Sequence, residues 1–248
     1  MKPKYRAVPF SLLRRAAAAS AAVAAKRSTI HSLTEVDITE PRRILREQKL
    51  SLTAYVVACL ARAVAENPLL NSLRKGRRLI LLEDVTVAVL IERELQGERV
   101  PEPVGIQRAQ AKSFRQIHEE IREHQRHPPD RLGSLSGLSW VTLLPSFLLR
   151  AFMRLGSRSI RLADRYGVVA VTAVGMFGEG ALWFLPLSSA TVVVTVGSIV
   201  QREGREHLCL TVSFDHAIVD GAPAARFMRR LAELIRGGQL LAGDGQQP

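Results

Sequence analysis

Hydrophobic positions near the C-terminus follow helical spacing. Apolar residues recur at i, i+3, i+4 and i+7, with arginines mostly on the opposite side. They are Ala224, Phe227, Met228, Leu231, Leu234 and Ile235. Gly237 and Gly238 follow, and glycine is the usual residue just beyond a helix end. The pattern predicts an amphipathic helix with one face in a core.

Two segments before this helix have the pattern of neighbouring strands. Residues 208–214 alternate between apolar and polar, residues 192–200 are a β-branched run, and the polar turn QREGREH joins them. Residues 79–82, 85–91 and 168–172 are also strand-like. Residues 29–37 alternate as well, with Leu33, and as further candidates Ile30 and Val36, on the apolar side. These strands predict a sheet.

Helical segments alternate with the strands. They cover residues 11–26, residues 40–48 with Pro41 in the first turn, a segment that opens at Ser51 or Thr53 and ends before Pro68, and residues 110–125. No internal repeat or low-complexity linker divides the chain. We therefore expect one α/β domain with a mixed sheet over residues 1–238, followed by a flexible tail over 239–248.

Two long stretches, residues 132–149 and 180–200, contain no charged residue. The second becomes the β-branched run ATVVVTVGSIV, which favours a buried strand over a membrane span. For residues 132–161 two interpretations stay open. The segment is either a core helix, which is favoured, or a basic amphipathic helix on a membrane surface.

The chain of 248 residues carries a net charge of +12, mostly from arginine. A surface of this kind attracts anions. Aromatic residues make up only 5% and no nucleic-acid-binding motif is present, so nucleic acid is not predicted as a partner. Phosphorylated cofactors and acidic partner proteins both fit the charge.

The spacing of cysteines and histidines predicts no metal site. Cys59 and Cys209 lie in apolar contexts without a C-x-x-C pair, so a disulfide framework is not predicted either. A reducing, cytoplasmic location is therefore expected. His118, His124 and His127 have no acid or thiol partners at ligand spacing, and we interpret them as part of a solvated face.

The stretch SFDHAIVDG, residues 213–221, is the candidate for chemistry. His216 comes just past a predicted strand end, and Asp220 lies near a helix N-terminus, where a carboxylate is favoured. Gly221 permits a tight backbone leading into the helix. Two interpretations follow from the spacing. His216 is either a loop residue beside a capping carboxylate, or a general base with one ring nitrogen fixed and the other free.

Five blocks resemble, in order, the catalytic domain of the 2-oxo acid dehydrogenase acyltransferases, which shares its fold and an H-x-x-x-D-G motif with chloramphenicol acetyltransferase. The blocks are VPFSLLRR, EVDIT, KLSLTAYVVACLARAVAENPLLN, TAVGMFG and SFDHAIVDGAPAARFMRRLAELI, and they extend over residues 5–237. The resemblance implies a two-layer mixed sheet with flanking helices and a CoA-dependent acyltransferase. It also implies a homotrimer, or an assembly of trimers, with active sites between subunits.

The resemblance assigns roles to individual residues. His216 would be the general base that takes a proton from a thiol of coenzyme A or of a dihydrolipoyl group. Thr172 would replace the family's serine as the hydrogen-bond donor to the tetrahedral oxyanion. Asp220 would brace the loop through an ion pair with Arg14, and Gly221 would support the same loop.

Departures from the family pattern leave a second hypothesis open. Ala217 replaces the usual arginine, Ala173 replaces the usual asparagine, and much of residues 131–164 matches poorly. The chain has no segment for a lipoyl domain, so no covalently bound lipoyl group is expected, and a separate lipoyl-domain protein is a possible partner. The alternatives are a stand-alone acyltransferase and a catalytically inactive trimeric binding or scaffold protein.

Two other features are given lesser roles. His31 lies in a strand that approaches the substrate channel in the family, although a surface position is favoured. The glycines of GMFGEG are interpreted as turn residues that shape the pocket, because the Lys-Ser/Thr ending of a phosphate loop is missing.

Overall fold

A computed structural model describes residues 3–8, 10–95, 98–126, 144–175 and 180–242. Its strands are β1 (Thr29–Asp37), β2 (Ser72–Lys75), β3 (Arg78–Leu81), β4 (Val87–Leu95), β5 (Glu98–Ile106), β6 (Val169–Ala173), β7 (Val192–Arg202) and β8 (Arg205–Asp215). Its helices are α1 (Leu12–Ala24), α2 (Thr39–Glu47), α3 (Leu52–Ala65), α4 (Phe114–Arg126), α5 (Ser146–Gly156), α6 (Ile160–Tyr166), α7 (Gly221–Gly237) and α8 (Gln239–Ala242).

Six strands form one mixed sheet in the order β1-β8-β7-β6-β4-β5. Strand β6 runs parallel to both β7 and β4, and the other neighbouring pairs are antiparallel. Strands β2 and β3 form a separate hairpin. The predicted α/β class, with a mixed sheet and flanking helices, is confirmed.

The hairpin of β7 and β8 forms where the sequence predicted a turn. Glu203 and Gly204 both have positive φ, 50° and 78°, and turns of this kind match the right-handed twist of paired strands. A register shift between Val196 and Ile199 interrupts the ladder. At that irregularity a side chain on Gly197 would collide with the carbonyl oxygen of Leu182. Glycine therefore lets the segment beyond residue 180 lie directly against β7.

Helices α3 and α7 supply much of the core on one side of the sheet. All six apolar residues predicted for α7 are buried. Helix α3 begins after Ser51, whose Oγ accepts the N–H of Ala54, and most of its residues are buried. The hydroxyl of Tyr55 donates to the carbonyl oxygens of Leu234 and Ile235 at 3.0 and 2.9 Å. These bonds fix α3 to the C-terminal part of α7.

On the opposite face, cross-strand pairing places three threonines in one row. Thr172 of β6 lies beside Thr195 of β7, which lies opposite Thr211 of β8. Their sequence neighbours, such as Val171 and Val212, belong to the core, as the two-residue period of a strand requires. Residues 180–191 cross this face, and the indole Nε1 of Trp183 donates to the carbonyl oxygen of Thr34 on β1.

Helix α5 packs against α1 through one face. Leu149 is buried against Ala19, with Phe152 and Met153 partly buried beside them. The opposite face of α5 is exposed, and Leu155 retains 72% of its accessible surface. The favoured core-helix interpretation therefore holds for one face of α5, and residues 127–143 lie outside the described part. Among the described residues, none of the helices is both long enough and apolar enough to cross a bilayer.

Three sequence expectations need correction. Strand β5 was not predicted, because Pro101 and Pro103 are unusual in a strand interior; β5 is an edge strand, where they are tolerated. Leu33 is 51% exposed, because it lies on the face of β1 opposite the core. The segment predicted as a flexible tail from residue 239 begins with α8, in which Leu241 is buried.

Candidate active site

The loop that carries His216 is held by backbone hydrogen bonds at both of its ends. Strand β8 ends at Asp215, and the N–H of His216 donates to the carbonyl oxygen of Ser28 at 2.7 Å. The N–H groups of Ile218 and Val219 donate back to the carbonyl oxygen of Asp215 at 2.9 and 3.0 Å. The loop is thus a closed turn between β8 and α7.

The imidazole of His216 has one nitrogen fixed by the same turn. Its Nδ1 lies 3.1 Å from the carbonyl oxygen of Val219. A carbonyl oxygen only accepts, so we assign the proton to Nδ1, which leaves Nε2 as the basic nitrogen. The side chain is 47% exposed, so a substrate has access to it. This is the arrangement that the general-base interpretation requires.

Asp220 lies beside the histidine. Its Oδ1 is 3.5 Å from Nδ1 of His216, and its side chain is 84% exposed. The structure does not bring Arg14 to Asp220, since no ion pair joins the two in the described chain. Arg14 lies in the first turn of α1 with an exposed side chain. A charge brace between Arg14 and Asp220 is therefore not seen within one chain.

Gly221 is the first residue of α7, and its backbone is not in the left-handed region. Open space surrounds the position that a Cβ would occupy. Gly221 was expected to permit a tight backbone, and neither its φ nor the space around it requires a glycine. At Gly175, in contrast, a Cβ would collide with the carbonyl oxygen of Gly197. The remaining part of the GMFG segment, residues 176–179, lies outside the described residues.

Asp215, which was not predicted as a site residue, organises the loop. This carboxylate is 6% exposed and forms an ion pair with Arg27, with 2.5 Å between Oδ2 and Nη1. Its Oδ1 accepts the N–H of Ala217 at 3.1 Å. Asp215 precedes the histidine directly, and its alternation with Ser213 places it on the polar face of β8. That position on the polar face was the available signal in the sequence, but the H-x-x-x-D-G spacing pointed to Asp220 instead.

Thr172 lines a cavity on the face of the sheet opposite the core. The cavity has a volume of about 300 Å³ and is also bounded by α6, by residues 186–191 and by Arg27. Thr172 is partly buried. We refer to this space as the threonine cavity. A hydroxyl is therefore present at the position for which the sequence predicted an oxyanion donor.

Within one chain, Thr172 and His216 are far apart. Thr172 is two strands from Thr211, and four residues along β8 separate Thr211 from Asp215. With strands about 4.8 Å apart and a rise of about 3.4 Å per residue, this puts Thr172 about 17 Å from the end of β8. One tetrahedral centre cannot then lie within hydrogen-bond distance of both side chains.

The remaining histidines have structural positions. His31 is exposed on β1 and shares a hydrogen bond with Ser213 Oγ, 2.8 Å from its Nδ1. His118 Nδ1 accepts the N–H of Ser51 at 3.1 Å. Burial, aided by nearby cations such as Arg122, lowers the pKa of His118. Within the described ranges, no group of three or more His, Cys, Asp or Glu is placed to hold a metal ion; His127 lies outside them.

Neither cysteine is a suitable nucleophile. Cys59 and Cys209 are both buried free thiols. Burial raises the pKa of Cys59 to about 12, so this thiol stays protonated at neutral pH. His216 and Thr172 therefore remain the candidate residues for the chemistry of the site.

Comparison with known families identifies a match over most of the chain. The profile of the 2-oxoacid dehydrogenases acyltransferase (catalytic domain) family matches residues 2–135 and 160–242. The match includes β6 with Thr172 and the loop with His216, and it leaves out residues 136–159, which contain all of α5. A sequence search among characterised proteins finds no match.

Solved structures of the same fold cover nearly the whole chain. A probable dihydrolipoamide acetyltransferase from Listeria monocytogenes is 22% identical, with 94% of this chain and 95% of that chain covered and a TM-score of 0.68. The dihydrolipoamide acetyltransferase of Azotobacter vinelandii is 20% identical, with 96% and 94% covered and a TM-score of 0.70. Chloramphenicol acetyltransferase is 13% identical, with 85% and 89% covered and a TM-score of 0.59.

These structures confirm the predicted two-layer fold, and the profile covers most of the chain. The chain belongs to the catalytic-domain family of the 2-oxoacid dehydrogenase acyltransferases, a family of CoA-dependent acyltransferases.

Proposed function

We propose that this protein moves an acyl group between coenzyme A and a second thiol, such as a dihydrolipoyl group, with His216 as the general base. The observation that carries the proposal is the bond from Nδ1 of His216 to the carbonyl oxygen of Val219. In the neutral imidazole this bond leaves Nε2 free to accept a proton, and the ring is half-exposed.

The base has a defined task. A thiol with a pKa near 8.5 is mostly protonated at neutral pH, so its nucleophilic form is scarce. Nε2 of His216 takes the thiol proton, and the resulting thiolate attacks the carbonyl carbon of the thioester. The tetrahedral oxyanion collapses, the original carbon–sulfur bond breaks, and the departing thiolate receives the proton from the imidazolium. Acyl group and proton have then exchanged sulfurs without an acyl-enzyme.

The Thr172 hydroxyl would stabilise the oxyanion by donating a hydrogen bond. The distance of about 17 Å within one chain means that this hydroxyl must come from a different copy than the histidine. We therefore propose active sites formed between two chains, in the homotrimer that the family resemblance implies. One similar structure is described as the cubic core of the pyruvate dehydrogenase multienzyme complex, so larger assemblies of the fold exist.

A relative gives independent support for the residue pattern. The Azotobacter vinelandii enzyme has been studied for the role of a serine, a histidine and an asparagine in its catalytic mechanism, and the last two are four residues apart. His216 and Asp220 have the same spacing. The acid at this position would lie near the imidazole, where its charge stabilises the imidazolium that forms during transfer.

The test is a transfer assay with purified protein. Acetyl-, propionyl- and branched-chain acyl-CoA are each combined with dihydrolipoamide and other small thiols, and the new thioester is measured. We expect transfer for at least one pair. Tight binding of acyl-CoA without transfer to any thiol would instead favour an inactive binding or scaffold protein of the same fold.

A further inference from the structure

The positive charge of the chain is concentrated in two stretches that pack together. Residues 1–34 contain seven Lys and Arg and no acid, and residues 144–163 contain four Arg and no acid. Together they account for eleven of the net +12. Helix α1 packs on α5, and Nη2 of Arg15 donates to the carbonyl oxygen of Leu144 at 2.6 Å. The rest of the chain is nearly neutral.

Part of this charge converges on one concave surface, which we call the basic groove. It has a volume of about 540 Å³ and lies between the end of α1, strand β2, helix α5 and the loop after β8. Six cations line it: Lys26, Arg27, Arg74, Arg150, Arg154 and Arg158. Among the described residues, the single carboxylate in its wall is Asp215, which already pairs with Arg27.

Grouping arginines along α5 does not stabilise the helix. Arg150 and Arg154 are four residues apart on α5, a spacing at which like charges on a helix repel. Arg158 follows in the turn just beyond the end of the helix. Arg150 and Arg154 are exposed, so their guanidinium groups are available to a ligand. An anion in the groove would offset the repulsion, and arginine binds phosphate oxygens through two parallel hydrogen bonds.

The groove adjoins the site described above. Ala217, the residue after His216, belongs to its wall, and Arg27 lines both this groove and the threonine cavity. The wall contributed by α5 lies within residues 136–159, which the family profile does not match. The part of the groove formed by α5, including Arg150 and Arg154, therefore lies outside the matched family pattern, whereas Lys26, Arg27 and Arg74 lie inside it.

We infer that the basic groove binds the phosphoryl groups of the acyl-carrying thiol and thereby positions that thiol for His216, with Arg150 and Arg154 as the specific contacts. The role of the groove in positioning the thiol rests on the proposed acyl transfer. Binding of the phosphoryl groups can be tested without it. The phosphoryl groups belong either to free coenzyme A or to a phosphopantetheine arm on a carrier protein. Coenzyme A and the carrier-protein arm both have a phosphate on pantetheine. Only coenzyme A also has a nucleotide.

The test compares three acetyl donors: acetyl-CoA, acetyl-phosphopantetheine and acetyl-N-acetylcysteamine, which has no phosphate. The double variant Arg150→Ala/Arg154→Ala is measured beside Arg161→Ala, an exposed arginine on α6 that does not line the groove. We expect the double variant to raise KM for acetyl-CoA about 10- to 100-fold. This rise in KM should occur only with the phosphate-bearing donors. The KM of Arg161→Ala should equal that of the unmodified protein with every donor.

The phosphopantetheine donor separates the two sources. An equal loss with acetyl-phosphopantetheine and acetyl-CoA places the contact on the pantetheine phosphate, which a carrier protein also has. A loss with acetyl-CoA alone places it on the nucleotide of the free coenzyme. The inference is overturned by equal losses with all three donors, by the same loss in Arg161→Ala, or by no loss.

A binding measurement keeps this inference separate from the proposed function. Adenosine 3′,5′-bisphosphate is titrated calorimetrically into each protein, and the double variant should bind it at least about tenfold more weakly. This result stands even if no acyl transfer is found. Unchanged binding of the bisphosphate, together with arginine-dependent sedimentation on phosphatidylserine vesicles, would show a lipid-binding surface and refute the inference.

Discussion

Nη1 of Arg27 lies 2.5 Å from Oδ2 of Asp215, the residue directly before His216. The same carboxylate accepts the N–H of Ala217 through Oδ1. One nearly buried acid thus connects the end of α1 to both sides of the histidine. Because His216 depends on this turn for the orientation of its ring, the Arg27–Asp215 pair is a positioning element.

Asp215→Asn keeps an acceptor for Ala217 but removes the charge that pairs with Arg27. We expect kcat to fall about 10- to 100-fold with KM within about twofold, since the ring is misplaced but the substrate surface remains. The free energy of unfolding should fall by about 2 kcal/mol, less than for a fully buried pair because Arg27 is partly exposed. Steady-state kinetics and urea unfolding measure the two effects. An unchanged kcat in Asp215→Asn would contradict this role of Asp215.

Thr172→Ala should lower kcat about 10²–10³-fold, because the oxyanion would lose a hydrogen-bond donor. Thr172→Ser should restore most of the rate. Thr195→Val is the matched control, because Thr195 lies in the same row but does not line the threonine cavity. Equal rates for Thr172→Ala and the unmodified protein would exclude the hydroxyl from the mechanism.

Mixing two inactive variants tests whether the site forms between chains. The His216→Ala chain still has Thr172, and the Thr172→Ala chain still has His216, so a site formed between the two chains can contain both residues. If the two are unfolded together and reassembled at equal amounts, about a quarter of the sites in a cyclic oligomer should contain both native residues. Activity should recover to about that fraction of the unmodified protein. Each variant reassembled alone is the control, and no recovery in the mixture would indicate a site within one chain.

His118 should make stability depend on pH. Its pKa is lowered by burial, below the ordinary 6.5 of the unfolded chain. The unfolded state therefore binds the proton more readily, and stability is fully present above about pH 6.5 and is lost as the pH falls through the folded pKa. Urea unfolding between pH 5 and 8 should show this slope. His118→Asn keeps an acceptor for Ser51 but cannot titrate, so it should flatten the slope, and an unchanged slope would assign the effect to other groups.

The elements near the site were predictable because their patterns are local. The six apolar positions of α7, the β7–β8 hairpin and the capped α3 all follow from spacing and turn chemistry. The exposure of Leu33 was not predictable. On an edge strand with one open face, the alternation of apolar and polar residues does not show which face lies against the core. The link between Arg27 and Asp215 joins residues 188 apart. A contact of that kind depends on how α1 meets β8, which no local pattern contains.

The basic groove was likewise not predictable from local sequence patterns. The sequence gives a net charge of +12 and, taken alone, suggests a solvated surface. Only the packing of α5 on α1 brings Arg150 and Arg154 to the same concavity as Lys26 and Arg27. The position of Thr172 relative to His216 likewise becomes clear only from strand order, because β6 and β8 are separated by β7.

The central claim is that His216 is the base in thiol-to-thiol acyl transfer, and its most direct test is the kcat/KM of His216→Ala. The acyl-CoA and thiol pair found to react best is used, and light scattering establishes that the assembly is unchanged. The account predicts a loss of about 10²–10⁴-fold in kcat/KM, with part of the rate recovered at a pH where the thiol is already ionised. Undiminished transfer by His216→Ala at neutral pH would contradict it.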